Sequence, residues 1–235
     1  MPTRLIPYVK ILVHLLCIIP FALLLLRFRK DELGADPVQT ITHFTGNWAL
    51  YLLLISLAVT PVRRLHSKLS NLIRFRRMLG LYAFFYATLH LATYIFLFSG
   101  YDLPTALTGL RAGHPGELIT QFKLVWPNMW DDILKRRFIQ IGFASWVILL
   151  ALAITSPQAM LRAMGGKNWQ RLHRLVYIAA TFAVIHYWWL VKTGVSTPWR
   201  VTAVLAILLV ARLVYTAFKR RAKTVMPVRS TTQIA

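Results

Sequence analysis

Seven histidines are spread along the chain, and two of them, His90 and His186, fall inside long apolar runs. His90 lies in LGLYAFFYATLHLATYIF. His186 lies in LVYIAATFAVIHYWWLV, with His173 thirteen residues before it. A titratable ring is costly in hydrocarbon, so an intramembrane histidine is a functional hypothesis by default. Counted from the inner ends of their runs, both stand about 11 residues up, or about 17 Å at 1.5 Å per residue. Two imidazoles at one depth on separate helices make the axial pair that a haem iron takes. The competing reading is hydrogen bonding between helices, for which Thr88, Thr93 and Thr181 are available.

His173 stands roughly 20 Å below His186, a height that suits a second, stacked haem. The position thirteen residues before His90 is Arg77, with Arg76 beside it, so the lower level has one histidine and no second. Thirteen residues at about 100° each also leave the two rings some 140° apart around a straight helix. Spacing alone therefore does not put them on one stripe. Lys135, Arg136 and Arg137 stand at the outer entrance of the fourth run, where they suit haem propionates or simply snorkel. His66 and His114 fall in loops, His14 near the start of the first run within reach of headgroups, and His43 at an outer helix entrance. Cys17 is the single cysteine, so no disulfide or multi-thiolate site can form, and no C-x-x-C-H run would attach haem covalently.

The elements that must carry these residues are set by composition. The chain has 235 residues, is 57% hydrophobic and bears a formal net charge of +21. Its basic residues punctuate apolar runs and form no single patch, which argues for membrane topology and against nucleic acid. Six runs, at about 9–26, 46–62, 79–98, 138–156, 175–191 and 201–218, are long enough to span roughly 30 Å of hydrocarbon. The expected fold is an all-α integral membrane protein: one six-helix transmembrane bundle, with no internal repeat evident and no soluble domain.

With both termini cytoplasmic, 18 of the 28 basic residues fall on the inner side and all seven acidic residues on the outer. Lys/Arg bias decides orientation, so this N-in, C-in arrangement is the expected one. The first run starts after Arg4 and Lys10 and ends in Arg27-Phe28-Arg29-Lys30 with no small-x-small cleavage site. It reads as a retained helix, kinked at Pro20. Residues 61–77 form a compact basic loop that anchors topology and suits anionic headgroups. The outer connection 99–137 mixes Phe122, Trp126, Met129 and Trp130 with charges, the composition of an interfacial segment or of a docking surface. Residues 219–235 read as a disordered cytoplasmic tail.

Four segments carry a resemblance: HFTGNWALYLLLISLAVTPVRR, RRMLGLYAFFYATLHLATY, SWVILLALAITSPQAM and GKNWQRLHRLVYIAATFAVIHYWWLVK. Together they resemble the MsrQ family, the haem-binding membrane subunits of the bacterial MsrPQ methionine-sulfoxide reductase system, within the ferric-reductase-like transmembrane superfamily. The resemblance implies six helices around one or two b-type haems in the bacterial inner membrane, with His90, His173 and His186 as haem histidines. It implies a periplasmic molybdenum-cofactor partner (MsrP) that reduces methionine sulfoxide in oxidised proteins, with electrons supplied from the quinone pool. It also associates FMN with the chain, although no motif locates it; Arg74, Arg76 and Arg77 offer cations for its phosphate.

No Gly-rich phosphate loop occurs, so oxidation of NADPH is expected to need a separate flavin reductase. The chain then reads as an electron-transfer subunit without a complete catalytic site of its own. Two rivals stay open: a ferric-reductase-like or other quinol-linked cytochrome b subunit, and a proton-relay transporter using the buried histidines. The spans are nearly free of carboxylates, which weighs against the transporter.

Overall fold

A computed structural model describes residues 3–190 and 197–225, and the elements among them are helical. Helix α1 is Ile6–Arg29, α2 is Pro37–Leu65, and α3 is Ile73–Thr93, prolonged by a π-helical turn over Tyr94–Phe98. The outer connection holds α4 (Leu103–Arg111) and α5 (Gly116–Lys135). There follow α6 (Arg137–Ile154), the short α7 (Gln158–Met164) and α8 (Gly166–Leu172), a 3-10 turn over His173–Leu175, α9 (Val176–Leu190) and α10 (Thr197–Val225).

Five described helices are long and apolar enough to cross a membrane: Ile6–Arg29, Pro37–Leu65, Leu69–Phe98, Arg137–Ile154 and Pro198–Phe218. The run expected at 175–191 is α9, whose 15 described residues rise about 22 Å at 1.5 Å per residue, short of the roughly 30 Å core. Residue 191 lies outside the described residues. Two boundaries move in the other direction. Helix α2 begins at Pro37, where Asp36 accepts the Gln39 N–H at 2.9 Å as N-cap, so His43 sits inside the helix and not at its entrance. Helix α10 runs to Val225, so residues 219–225 continue the helix where a disordered tail was expected; residues 226–235 lie outside the described residues.

Two helix pairs dominate the packing: α2 lies along α3, and α6 along α9. Ala83 on α3 and Ala179 and Ala180 on α9 are fully buried, as small residues are where helices approach closely in lipid. Ser56 donates to the Arg76 carbonyl across the first pair and Ser145 to the Ala179 carbonyl across the second, at 3.1 and 2.9 Å. Outward faces are apolar. Leu15, Leu16, Ile18, Ile19 and Leu23 of α1 are all exposed, a surface that suits hydrocarbon and not water.

Pro20 has no N–H to give the ladder of α1, and the break expected there takes a particular form. The fully buried Tyr86 of α3 inserts its hydroxyl at this point, donating to the Cys17 carbonyl at 2.8 Å and accepting the Phe21 N–H at 3.1 Å. A side chain inserted into the i→i−4 ladder is a recognised cause of helix bending. Tyr86→Phe is expected to cost about 1 kcal/mol, the net worth of an intramolecular hydrogen bond, because the two freed groups can partly re-pair with each other. Thermal unfolding in detergent checks this, and an unchanged midpoint would show that the hydroxyl does not tether α1.

Helices α4 and α5 pack as a hairpin over a small core of Tyr101, Ala106, Val125 and Met129. Asp102 caps α4 through the Thr105 N–H at 3.0 Å, and the Tyr94 hydroxyl ties α3 to Asp132 of α5 at 3.1 Å. Met129 is thereby buried and leaves the surface set expected of this connection. Phe122, Trp126 and Trp130 form a ladder of rings 5.7 and 5.8 Å apart, with both tryptophans exposed.

Candidate functional site

His90 comes from α3 and His186 from α9, and the fold brings their rings to 6.0 Å between centroids at an interplanar angle of 83°. Each ring is held from behind by a neighbouring helix. His90 Nδ1 lies 3.0 Å from the Thr42 carbonyl of α2, and His186 Nδ1 lies 2.7 Å from the Phe138 carbonyl of α6. A carbonyl only accepts, so each Nδ1 carries the proton and each Nε2 keeps a lone pair. This is the arrangement by which a hydrogen bond behind a metal-bound histidine fixes its tautomer and orientation. The three threonines that might have partnered the rings are otherwise engaged: Thr88, Thr93 and Thr181 donate to the Phe84, Leu89 and Tyr177 carbonyls of their own helices.

Two glycines make room for the rings. A Cβ on Gly46 of α2 would stand 3.1 Å from Nδ1 and Cε1 of His90, and one on Gly142 of α6 would stand 2.7 and 2.8 Å from the same atoms of His186. Adding 96 to Thr42, Gly46 and His90 gives Phe138, Gly142 and His186. The same shift carries Leu53 to Leu149, Thr60-Pro61 to Ser156-Pro157, and the fully buried Ala83 to Ala179. The two helix pairs thus repeat one plan, although no repeat was evident in the sequence. The glycine behind each histidine, four residues after the carbonyl that holds it, was the readable signal.

The separation bears on what the pair can hold. Histidine nitrogen sits about 2 Å from a bound transition metal. With the ring's own half-width added on each side, a metal between two imidazoles sets their centres roughly 6 Å apart, the separation found. Among the described residues no three His, Cys, Asp or Glu side chains converge on a metal position. Two imidazoles are a third of an octahedral set, and a macrocycle supplies the other four ligands. The donor set therefore fits haem.

The lower level is built differently. The shift of 96 carries Arg77 to His173, so the second helix pair has a histidine where the first has an arginine. His173 stacks on Trp169 at 3.9 Å, and its Nε2 lies 3.2 Å from the Thr155 hydroxyl. That hydroxyl donates its own hydrogen to the Ala151 carbonyl at 2.7 Å, which leaves Nε2–H as donor to Thr155. Burial above all, with the Arg76 and Arg77 charges adding to it, holds the His173 pKa below its ordinary value, so the ring is neutral at pH 7.

At the junction of α5 and α6 the three cations separate. Lys135 pairs with Asp131 and Arg136 with Asp132, each at 2.8 Å. Arg137 joins neither ion pair, and with Phe138 and Trp189 it lines a shallow hollow of about 330 Å³ at the His186 end of α6 and α9. His14 is bonded to Tyr82 at 2.8 Å, so it has a partner within the protein and needs no headgroup.

Residues 45–184 match the family described as the ferric reductase like transmembrane component. The chain is 46% identical over 206 residues to the protein-methionine-sulfoxide reductase heme-binding subunit MsrQ of Xanthomonas axonopodis pv. citri (strain 306), covering 85% of this chain and 83% of that relative. It is 40% identical over 217 residues to the protein of the same name from Herminiimonas arsenicoxydans, covering 92% and 88%.

Proposed function

The chain belongs to the MsrQ family of haem-binding membrane subunits, and on that premise we propose that it is a membrane b-type cytochrome passing electrons outward to a reductase of protein methionine sulfoxide. The single observation that carries this reading is the His90/His186 pair: two Nε2 lone pairs with their tautomers fixed from behind and ring centres 6.0 Å apart. His90 and His186 would hold a haem bound there, which would supply one-electron redox chemistry. The chain's own residues orient the two imidazoles, hold their protons on Nδ1 and exclude water. Arg137, free of ion pairs where Arg136 is not, is the better placed of the two to meet a propionate. Arg137→Ala is then expected to lower haem retention where Arg136→Ala does not.

In this reading α9 completes a sixth crossing, both termini face the cytoplasm, and the protein resides in the bacterial inner membrane. Its acceptor is a periplasmic molybdenum-cofactor enzyme of the MsrP type, which reverses methionine oxidation, a repairable step of sulfur damage. Its donor is a membrane quinol or a cytoplasmic flavin reductase, and FMN binds through a phosphate contact with Arg76, outside the Arg77-lined cleft between α1 and α3. His173 is the candidate ligand of a second haem; to serve, its ring must give up the Nε2–H bond to Thr155.

A reduced-minus-oxidised visible spectrum of the purified protein, with a pyridine haemochrome count, tests the core of the proposal. A b-type α band at one or two haems per chain is expected. A colourless protein refractory to added haemin would sink the reading and promote the proton-relay alternative.

A further inference from the structure

On the Lys10 side of the Tyr86 tether, an open cleft of about 600 Å³ is lined by α1 and α3. Lys10 and His14 line it from α1, Arg74, Arg77, Tyr82 and Phe85 from α3, and Gln158 from the start of α7. Its end toward Lys10, Arg74 and Arg77 is cationic; its wall toward Tyr82 and Phe85 is aromatic. Neither ion pair among the described residues involves these cations, since both pairs lie at the α5–α6 corner. The chain's seven carboxylates (Asp31, Glu32, Asp36, Asp102, Glu117, Asp131 and Asp132) all belong to the segments assigned to the outer side. No Asp or Glu side chain on the cleft's side supplies its counter-charge, which leaves the cleft open to an anion from another molecule.

A polar roof adds a directed donor. Tyr82 Oη and His14 Nδ1 are 2.8 Å apart. If the hydroxyl donates, His14 keeps an Nε2–H; if the ring donates, Tyr82 keeps its O–H. Either way one donor is left over beside three cations, and a bare inorganic anion would leave the apolar wall unused.

We propose that this cleft is a site for the phosphate of an anionic phospholipid of the cytoplasmic leaflet, with Lys10, Arg74 and Arg77 as its cations and the aromatic wall against its glycerol and upper acyl segments. The source follows from position: the cleft is open and is lined by α1, whose exposed face is apolar, at the end where basic residues meet an anionic leaflet. The assignment rests on the N-in orientation proposed above. Such a lipid bridges α1 and α3 where protein contacts between them are thin: α1 buries only Ile6, Cys17, Pro20 and Leu24.

The experiment is native mass spectrometry of the purified full chain from nanodiscs of phosphatidylglycerol or of phosphatidylcholine, a readout independent of haem, electron donor and insertion direction. Wild type is expected to retain one phosphatidylglycerol. Lys10→Gln/Arg74→Gln is expected to bind it roughly 25-fold more weakly, at about five-fold per basic residue. The charge-conserving Lys10→Arg/Arg74→Lys controls for folding and should retain the lipid. Equal retention of phosphatidylcholine, or undiminished binding in the Gln variant, would overturn the proposal. Displacement of the lipid by added FMN would also overturn it, by assigning the cleft to a soluble phosphate monoester.

Discussion

His186→Ala is expected to abolish the low-spin bis-histidine haem signature, and His90→Ala to do the same, whereas His173→Ala is expected to leave that component in place. The expectation follows from how the rings are held. His90 and His186 stand with ring centres 6.0 Å apart, each keeping an Nε2 lone pair, and are fixed through Nδ1 by the Thr42 and Phe138 carbonyls. Removing either leaves one axial ligand where low-spin ligation needs two. His173 stands about 20 Å away along the helix direction, on a turn where its Nε2–H is spent on Thr155. Visible and low-temperature EPR spectra of the three variants, normalised to protein, decide the matter. If His186→Ala retained the wild-type low-spin signal, the pair would not be the ligand set, whatever the family resemblance implies.

Gly142→Ala is the second large effect. A methyl group there would stand 2.7 Å from Nδ1 and 2.8 Å from Cε1 of His186, closer than real Cβ contacts come. The ring cannot simply back away, because its Nδ1–H is bonded to Phe138 at 2.7 Å on the same helix. Displacing a group that orients a metal-bound histidine typically weakens the site 10- to 100-fold, and that is the loss in haem affinity expected here. At Gly46 the corresponding contacts are 3.1 Å, so a shift of a few tenths of an ångström accommodates alanine and the loss stays under about ten-fold. Alanine is itself favoured over glycine in a helix by about 1 kcal/mol, so neither change should weaken the fold. Haem titration of the apoproteins beside a thermal melt separates the two effects. An order reversed between the two positions, or a fold lost together with the haem, would count against the cradle.

The chemistry of the pair was legible because ionisable residues are rare enough in hydrocarbon for each to stand out, and because rise per residue converts position into depth without a structure. Runs of 17 or more apolar residues likewise announced membrane helices. Facing direction was not legible. In lipid the outside of a helix is as apolar as its inside, so the azimuth of α3 or α9 leaves no polar stripe to read. For the same reason the shift of 96 was hidden: a repeat in lipid keeps only the residues that touch across helices, such as Gly46 and Gly142 or Ala83 and Ala179, while lipid-facing positions drift among apolar types.

The polar residues at the periphery show the same division. His14, Arg136 and Met129 have types that fit an interface, and the sequence placed them there. Asp132, four residues before Arg136, is a local partner, whereas Tyr82, 68 residues from His14, and the small α4–α5 core around Met129 are set by packing. By itself the sequence determined that this is a helical membrane protein with two imidazoles at one depth, since hydropathy and rise are properties of a single helix. Only the tertiary structure decided that the imidazoles face each other, which nitrogen of each carries the proton, and that a glycine stands behind each ring, because all three depend on which carbonyl and which Cα a neighbouring helix brings within about 3 Å.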